Sequence, residues 1–167
     1  MTSSRRTMPF AVLSAVVLVG LLAVAGCGGS SSTSQAQVNG IIVKDAEARA
    51  SAASATVGAA YLTIENTTAN FDRLSSVSVP ADVARTAQFH ETVEVPASTA
   101  GASSMMAMRE VASVPVAAGA TVRLEPGGLH IMLIDLAAPL TVGQKFTINL
   151  GFTNAGVVPV VVVVKGS

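Results

Sequence analysis

The sequence feature that most limits the fold is the alternation in Lys145–Phe152. Phe146, Ile148, Leu150 and Phe152 are apolar, and most of the residues between them are polar. Side chains in a strand point alternately to opposite faces, so this is a strand with one buried face and one wet face. A strand of that kind needs a second layer to cover its apolar face. Ala60, Leu62 and Ile64 repeat the pattern against Tyr61, Thr63 and Glu65. Further short apolar runs fit strands: Ile41–Asp45, Leu74–Val79, Thr86–Val95 (with Phe89 and His90 on opposite faces), Met105–Val111, Thr121–Leu124, His130–Leu136 and Val157–Lys165. Turn-forming stretches separate them: Asn39-Gly40, the polar Asn66–Asp72, Pro80, the small-residue loop Pro96–Ser104 and Pro115–Ala120. Ala46–Thr56 is Ala/Ser-rich and reads as an irregular loop. Pro159 suggests an edge or a bulge in the last strand. No segment is a convincing helix, so the chain is expected to be all-β, a β-sandwich or barrel.

The first residues do not belong to that pattern. Arg5 and Arg6 precede an almost unbroken apolar run, Phe10–Ala23, and then Val24-Ala25-Gly26-Cys27. A short apolar segment ending in small residues reads as an export signal over residues 1–26. The last four residues match the lipobox of bacterial lipoproteins, which makes Cys27 the lipidated N-terminus of the mature chain. A permanent anchor is the alternative, and the run is short for a spanning helix. Ser4-Arg5-Arg6 also resembles a twin-arginine signal, leaving the Sec and twin-arginine routes open. Residues 27–37 are rich in Gly, Ser, Thr, Ala and Gln and read as a flexible tether. The folded domain is expected over 38–167. Without Arg5 and Arg6 the chain has eight basic and ten acidic side chains, so nothing points to nucleic acid. One Cys in the chain excludes an internal disulfide.

The chemistry concentrates in the second half. In Glu125-Pro126-Gly127-Gly128, Pro126 and Gly127 suit the central positions of a type II turn. The following strand puts His130 and Met132 on one face. Taken alone, His-x-Met is more often core filling than a site. There are only two histidines, His90 and His130, and the four methionines outside the leader all fall between 105 and 132. Met106 and Met108 share a face as His130 and Met132 do. Imidazole and thioether together suit copper(I).

The region from about Gly40 to Val164 resembles the PCu(A)C family of periplasmic copper chaperones. That family carries a His, then a Met, then twenty-one residues, then His-x-Met. Here Met108 is followed by Arg109–Leu129 and then His130-Ile131-Met132. The likeness extends to Met106-Ala107-Met108-Arg109, to Pro115 with Gly119, to Pro126-Gly127-Gly128, and to Ala60-Tyr61-Leu62-Thr63-Ile64-Glu65-Asn66. The spacing from His90 to Met108 is longer than in the family, with the extra residues in Pro96–Ser104. Glu91 stands where some members have Met. Asp45-Ala46-Glu47-Ala48-Arg49 lacks the Trp of the family's segment there.

The resemblance implies a cupredoxin-like Greek-key β-sandwich and a copper(I) site of His90, Met108, His130 and Met132. Met106 is an auxiliary sulfur, either a reserve ligand or a packing residue at the rim. It implies a chaperone, not an enzyme, tethered to the outer face of the cell membrane through Cys27. The chaperone passes copper to an acceptor such as a cytochrome oxidase subunit. The competing reading is a non-metal envelope lipoprotein that acts as a protein-interaction module. A blue-copper electron carrier needs a Cys thiolate, and lipidation consumes the only one.

Overall fold

The computed structural model describes residues 35–96 and 103–166. The expected signal, Cys27, most of the tether and residues 97–102 of the expected loop lie outside the described residues. Eleven strands occur among the described residues: β1 (Ala36–Val38), β2 (Ile41–Arg49), β3 (Val57–Asn66), β4 (Asp72–Ser78), β5 (Ala84–Val95), β6 (Met105–Val111), β7 (Val114–Val116), β8 (Thr121–Leu124), β9 (Leu129–Leu136), β10 (Lys145–Phe152) and β11 (Gly156–Lys165). None of the described residues is helical. β1 takes Ala36 and Gln37, two residues of the expected tether, into the sheet beside β2.

Hydrogen bonds run along the order β6-β5-β9-β3-β2-β11-β10-β4-β7, with β1 added to β2 and β8 to β3. Among the described residues only the β2–β11 pairing is parallel. β4 packs near β5 and β7 near β3, so the two ends of this path face one another. The path is therefore folded over into two layers, a β-sandwich. Consecutive strands such as β4 and β5 lie far apart in the path, as Greek-key connections require. The all-β sandwich expected from alternation is the observed fold.

The core lies between the layers. Phe146, Ile148, Leu150 and Phe152 are buried on β10, as their spacing predicts, and Val158, Val160, Val162 and Val164 are buried on β11. Leu62, Ile64, Ile131 and Leu133 bring the apolar faces of β3 and β9 to the same core. β9 thus has Ile131 and Leu133 facing inward. Their neighbours His130, Met132 and Ile134 take the opposite face, so the core holds the back of the site in place.

Three elements differ from expectation. Ala46–Arg49 continues β2 instead of starting a loop. A bulge between Lys44 and Glu47, with Asp45 at φ 56°, inserts an extra residue, and Ala46 within it and Ala48 beyond it are buried. Packing here overrides the loop-like composition. Val114–Val116 forms β7 because Val114 and Val116 bury against the core, while Pro115 is exposed on an end strand. β11 is an interior strand, but its pairing with β2 begins only at Val163. Pro159 pairs with Asn149 of β10 and needs no donor on the other side, which is how an interior strand tolerates it.

Candidate metal centre

The turn before β9 is the first positioning device. Gly128 N–H donates to Glu125 C=O at 3.1 Å, and Gly127 has φ 81°, the left-handed conformation a type II turn requires at that position. A side chain at 127 would strain this turn. The turn directs the Gly128 carbonyl back at the two strands that follow and flank it. That oxygen accepts from Thr92 N–H on β5 at 3.2 Å and lies 3.0 Å from His130 Nδ1. A carbonyl only accepts, so His130 Nδ1 carries the proton and Nε2 presents its lone pair. His130 is buried, with 5% exposure, so this ring is fixed in both tautomer and orientation.

Pairing of β5 with β9 supplies the second histidine. His90 is the direct cross-strand partner of His130, and Gln88 is that of Met132. The ring centroids of His90 and His130 are 6.0 Å apart, with planes tilted by 38°. An ion bonded at about 2 Å to one nitrogen of each ring sits roughly 3 Å from each centroid, so the separation suits a shared ion. His90 Nε2 lies 3.2 Å from Gln88 Oε1, while His90 Nδ1 is buried and has no hydrogen-bond partner among the described residues. A buried ring nitrogen without a hydrogen-bond partner is unusual and calls for an explanation, a bound ion being one.

β6 pairs with β5 and brings the sulfurs. Glu110 faces His90, Met108 faces Thr92 and Met106 faces Glu94. Directly opposed residues share a face, so Met108 and Met106 lie on the face of His90. Met105 lies opposite Val95, on the other face. The Arg109–Glu91 ion pair, 2.9 Å across the same two strands, favours this register; being exposed, it is worth less than about 1 kcal/mol.

Met108, His130 and Met132 line one cavity of about 330 Å³. Its lining also includes a wall from the segment after β2, with Ala50, Ala52 and Ala55, and Ala59 of β3, the cross-strand partner of Met132. Ala50 N–H donates to Lys165 C=O at 2.8 Å, and Ser51 exchanges hydrogen bonds with Leu140 through its N–H (3.0 Å) and its Oγ (2.9 Å). The wall is thus tied to β11 and to the segment before β10. Small side chains leave room for the thioethers.

Among the described residues, no three His, Cys, Asp or Glu side chains gather as a metal cluster. The thioethers of Met108 and Met132 share the cavity with His130, and imidazole with thioether is a soft donor set suited to copper(I) and poorly suited to zinc. The structure brings His90 beside His130, and Met108 and Met132 to the cavity that His130 lines. Met106 lies two residues farther along β6, roughly 7 Å from the row of Met108. Sequence reasoning missed Gln88, although Gln88-x-His90 is a same-face spacing, and missed the alanine wall, which nothing in its composition advertises.

A model of the LpqE-like family, described as "Putative lipoprotein LpqE-like", matches residues 41–164. The "Putative lipoprotein Lxx21020" of Leifsonia xyli subsp. xyli is 33% identical over 169 residues, covering 99% of this chain and 93% of that protein. Among solved structures, the copper-bound PCuAC domain from PmoF2 superposes with TM-score 0.63 at 24% identity, covering 80% of this chain and 98% of that one. The apo PCuAC domain from PmoF1 gives 0.64 at 23%, covering 80% and 99%. These two likenesses establish the fold. The solution structure of CuI-DR1885 from Deinococcus radiodurans gives 0.53 at 27% identity, covering 72% of this chain and 74% of that one.

Proposed function

Since the chain belongs to the LpqE-like family, whose fold is that of PCuAC domains, we propose that it is an extracytoplasmic copper(I) chaperone. It holds one copper(I) through His90, His130, Met108 and Met132 and passes it to an acceptor protein. The observation that carries this reading is the cross-strand pair His90–His130: His90 keeps one buried imidazole nitrogen without a partner among the described residues, and His130 lines a cavity together with two thioethers. The neighbours described as copper-bound and as CuI-DR1885 support the same cargo.

Release follows from exposure. Met108 sits on an end strand and is 64% exposed, whereas His130 is buried. An incoming ligand from the acceptor displaces the Met108 sulfur first, and the remaining bonds exchange one at a time. A thioether has no proton to lose, so its exchange does not wait on one. The acceptor is a protein with its own soft copper ligands, such as a cytochrome oxidase subunit. The protein holds and hands over its ion and catalyses no bond-making step.

Competition titration against a copper(I) chelator under reducing conditions tests this, using protein that lacks Cys27. One copper(I) per chain is expected; no uptake would leave a protein-interaction module as the better reading. The pH dependence has a definite sign. Imidazole must be neutral to bind metal, so protons compete with copper for both histidines. Affinity is expected to weaken as acid protonates the rings, with the thioethers retaining part of it. An affinity that stays flat from neutral pH down to about 5, well into the range where imidazole ordinarily takes up protons, would rule out histidine ligation.

Attachment to the outer face of the membrane is proposed from Val24-Ala25-Gly26-Cys27, and the lipoprotein description of the family and of the Leifsonia relative supports it. Cys27→Ser is expected to abolish both lipid attachment and cleavage of the leader. Unchanged acyl labelling of that variant would refute the assignment.

A further inference from the structure

The two histidines are held in different ways. His130 is fixed by the main chain, through the Gly128 carbonyl. His90 relies on a side chain: its Nε2 meets Oε1 of Gln88, while its Nδ1 has no partner among the described residues, the Glu110 carboxylate opposite it on β6 included. We infer that Gln88 is a positioning residue, which accepts the His90 Nε2 proton and so leaves Nδ1 as the bare lone pair that binds copper(I). The inference rests on His90 being a copper ligand and adds which atom binds and what selects it.

The orphaned nitrogen decides between the tautomers. With the proton on Nδ1, the protein would bury an N–H donor that no acceptor satisfies. With the proton on Nε2, the buried Nδ1 is an unshared pair, and the ion supplies its missing partner. Gln88 is two residues from His90 on β5, so both side chains stand on one face. Its cross-strand partner is Met132, a thioether with no proton to donate, so Oε1 stays free for His90. The two rings then offer unlike nitrogens to one ion, Nδ1 from His90 and Nε2 from His130. An amide does this without adding a negative charge that would favour the imidazolium, the form that cannot bind metal.

The test is nitrogen-15 spectroscopy of the imidazole rings in the apo protein at a pH of about 8, above the ordinary imidazole range, together with copper(I) competition titrations. Wild-type His90 is expected to carry its proton on Nε2 alone. Gln88→Leu should give a mixture of tautomers and a loss of roughly 10–100-fold in copper(I) affinity, as for other partners of metal-bound histidine. Gln88→Glu keeps an acceptor and should retain the single tautomer, with a smaller loss of affinity than Gln88→Leu, since its charge favours the imidazolium. Glu110→Gln should change neither. A wild-type proton on Nδ1, or a folded Gln88→Leu variant with tautomer and affinity unchanged, would overturn the inference. A tautomer that responds to Glu110→Gln and not to Gln88→Leu would do the same. Wild-type protein with the expected tautomer but no copper uptake would instead sink the functional reading, and this inference with it. Copper uptake with the proton on Nδ1 would sink this inference alone.

Discussion

Met132→Ala and Met108→Ala are each expected to weaken copper(I) binding by more than about 100-fold, beyond what loss of an outer partner of a metal ligand costs. Both sulfurs line the cavity that His130 lines, and each is the only thioether on its strand that does so. Met106→Ala should cost far less. It shares the face of Met108 but lies opposite Glu94, one same-face step farther from His90. Met105→Ala should cost almost nothing, because Met105 stands on the other face of β6. Stability should hardly change along β6: Met105, Met106 and Met108 are 71%, 65% and 64% exposed, so truncation opens no core cavity. Competition titration reads the affinities and circular dichroism reads the fold. A larger loss from Met106→Ala than from Met108→Ala would mean that β6 binds copper in another register.

The same strand shows what the sequence could and could not say. Met105–Val111 is recognisable as a strand, and its period of two already separates Met106 and Met108 from Met105. What it pairs with is a long-range fact. His90 and His130 are forty residues apart in the chain, and only the β5–β9 register sets them opposite one another. The resemblance to a copper-chaperone family pointed to both histidines but not to their tautomers, which depend on Gln88 and on the Gly128 carbonyl. The Pro126-Gly127 turn was legible because its chemistry is local. The Ala46–Arg49 end of β2 was not, because Ala is neutral between loop and strand until a neighbouring strand buries it. Pro159 was half legible: its missing N–H needs an unpaired side, and β11 has one at that point although the strand is interior.

Asp72→Ala is expected to destabilise the sandwich by about 3 kcal/mol or more, counting hydrogen bonds to a charged group at roughly 1.5–3 kcal/mol each and allowing for partial rescue by water. Asp72 begins β4 and is buried, with 4% exposure. Its Oδ1 accepts from the main-chain N–H groups of Arg73 (2.7 Å) and Asn154 (3.0 Å), and its Oδ2 accepts from that of Ala155 (2.9 Å). One carboxylate thereby closes the turn between β10 and β11 onto the start of β4. Alanine leaves these donors without a partner, and the Ala155 N–H is buried. Asp72→Asn should cost less than alanine, because its amide oxygen still accepts, but its NH₂ then meets a donor. Urea unfolding should show a lower midpoint with an unchanged slope, the mark of lost native stability. Copper(I) affinity of the folded variant should match the wild type, since Asp72 contributes to none of β5, β6 or β9. A midpoint shift equivalent to less than about 0.5 kcal/mol, the scale of an ordinary surface substitution, would show that water replaces the carboxylate fully.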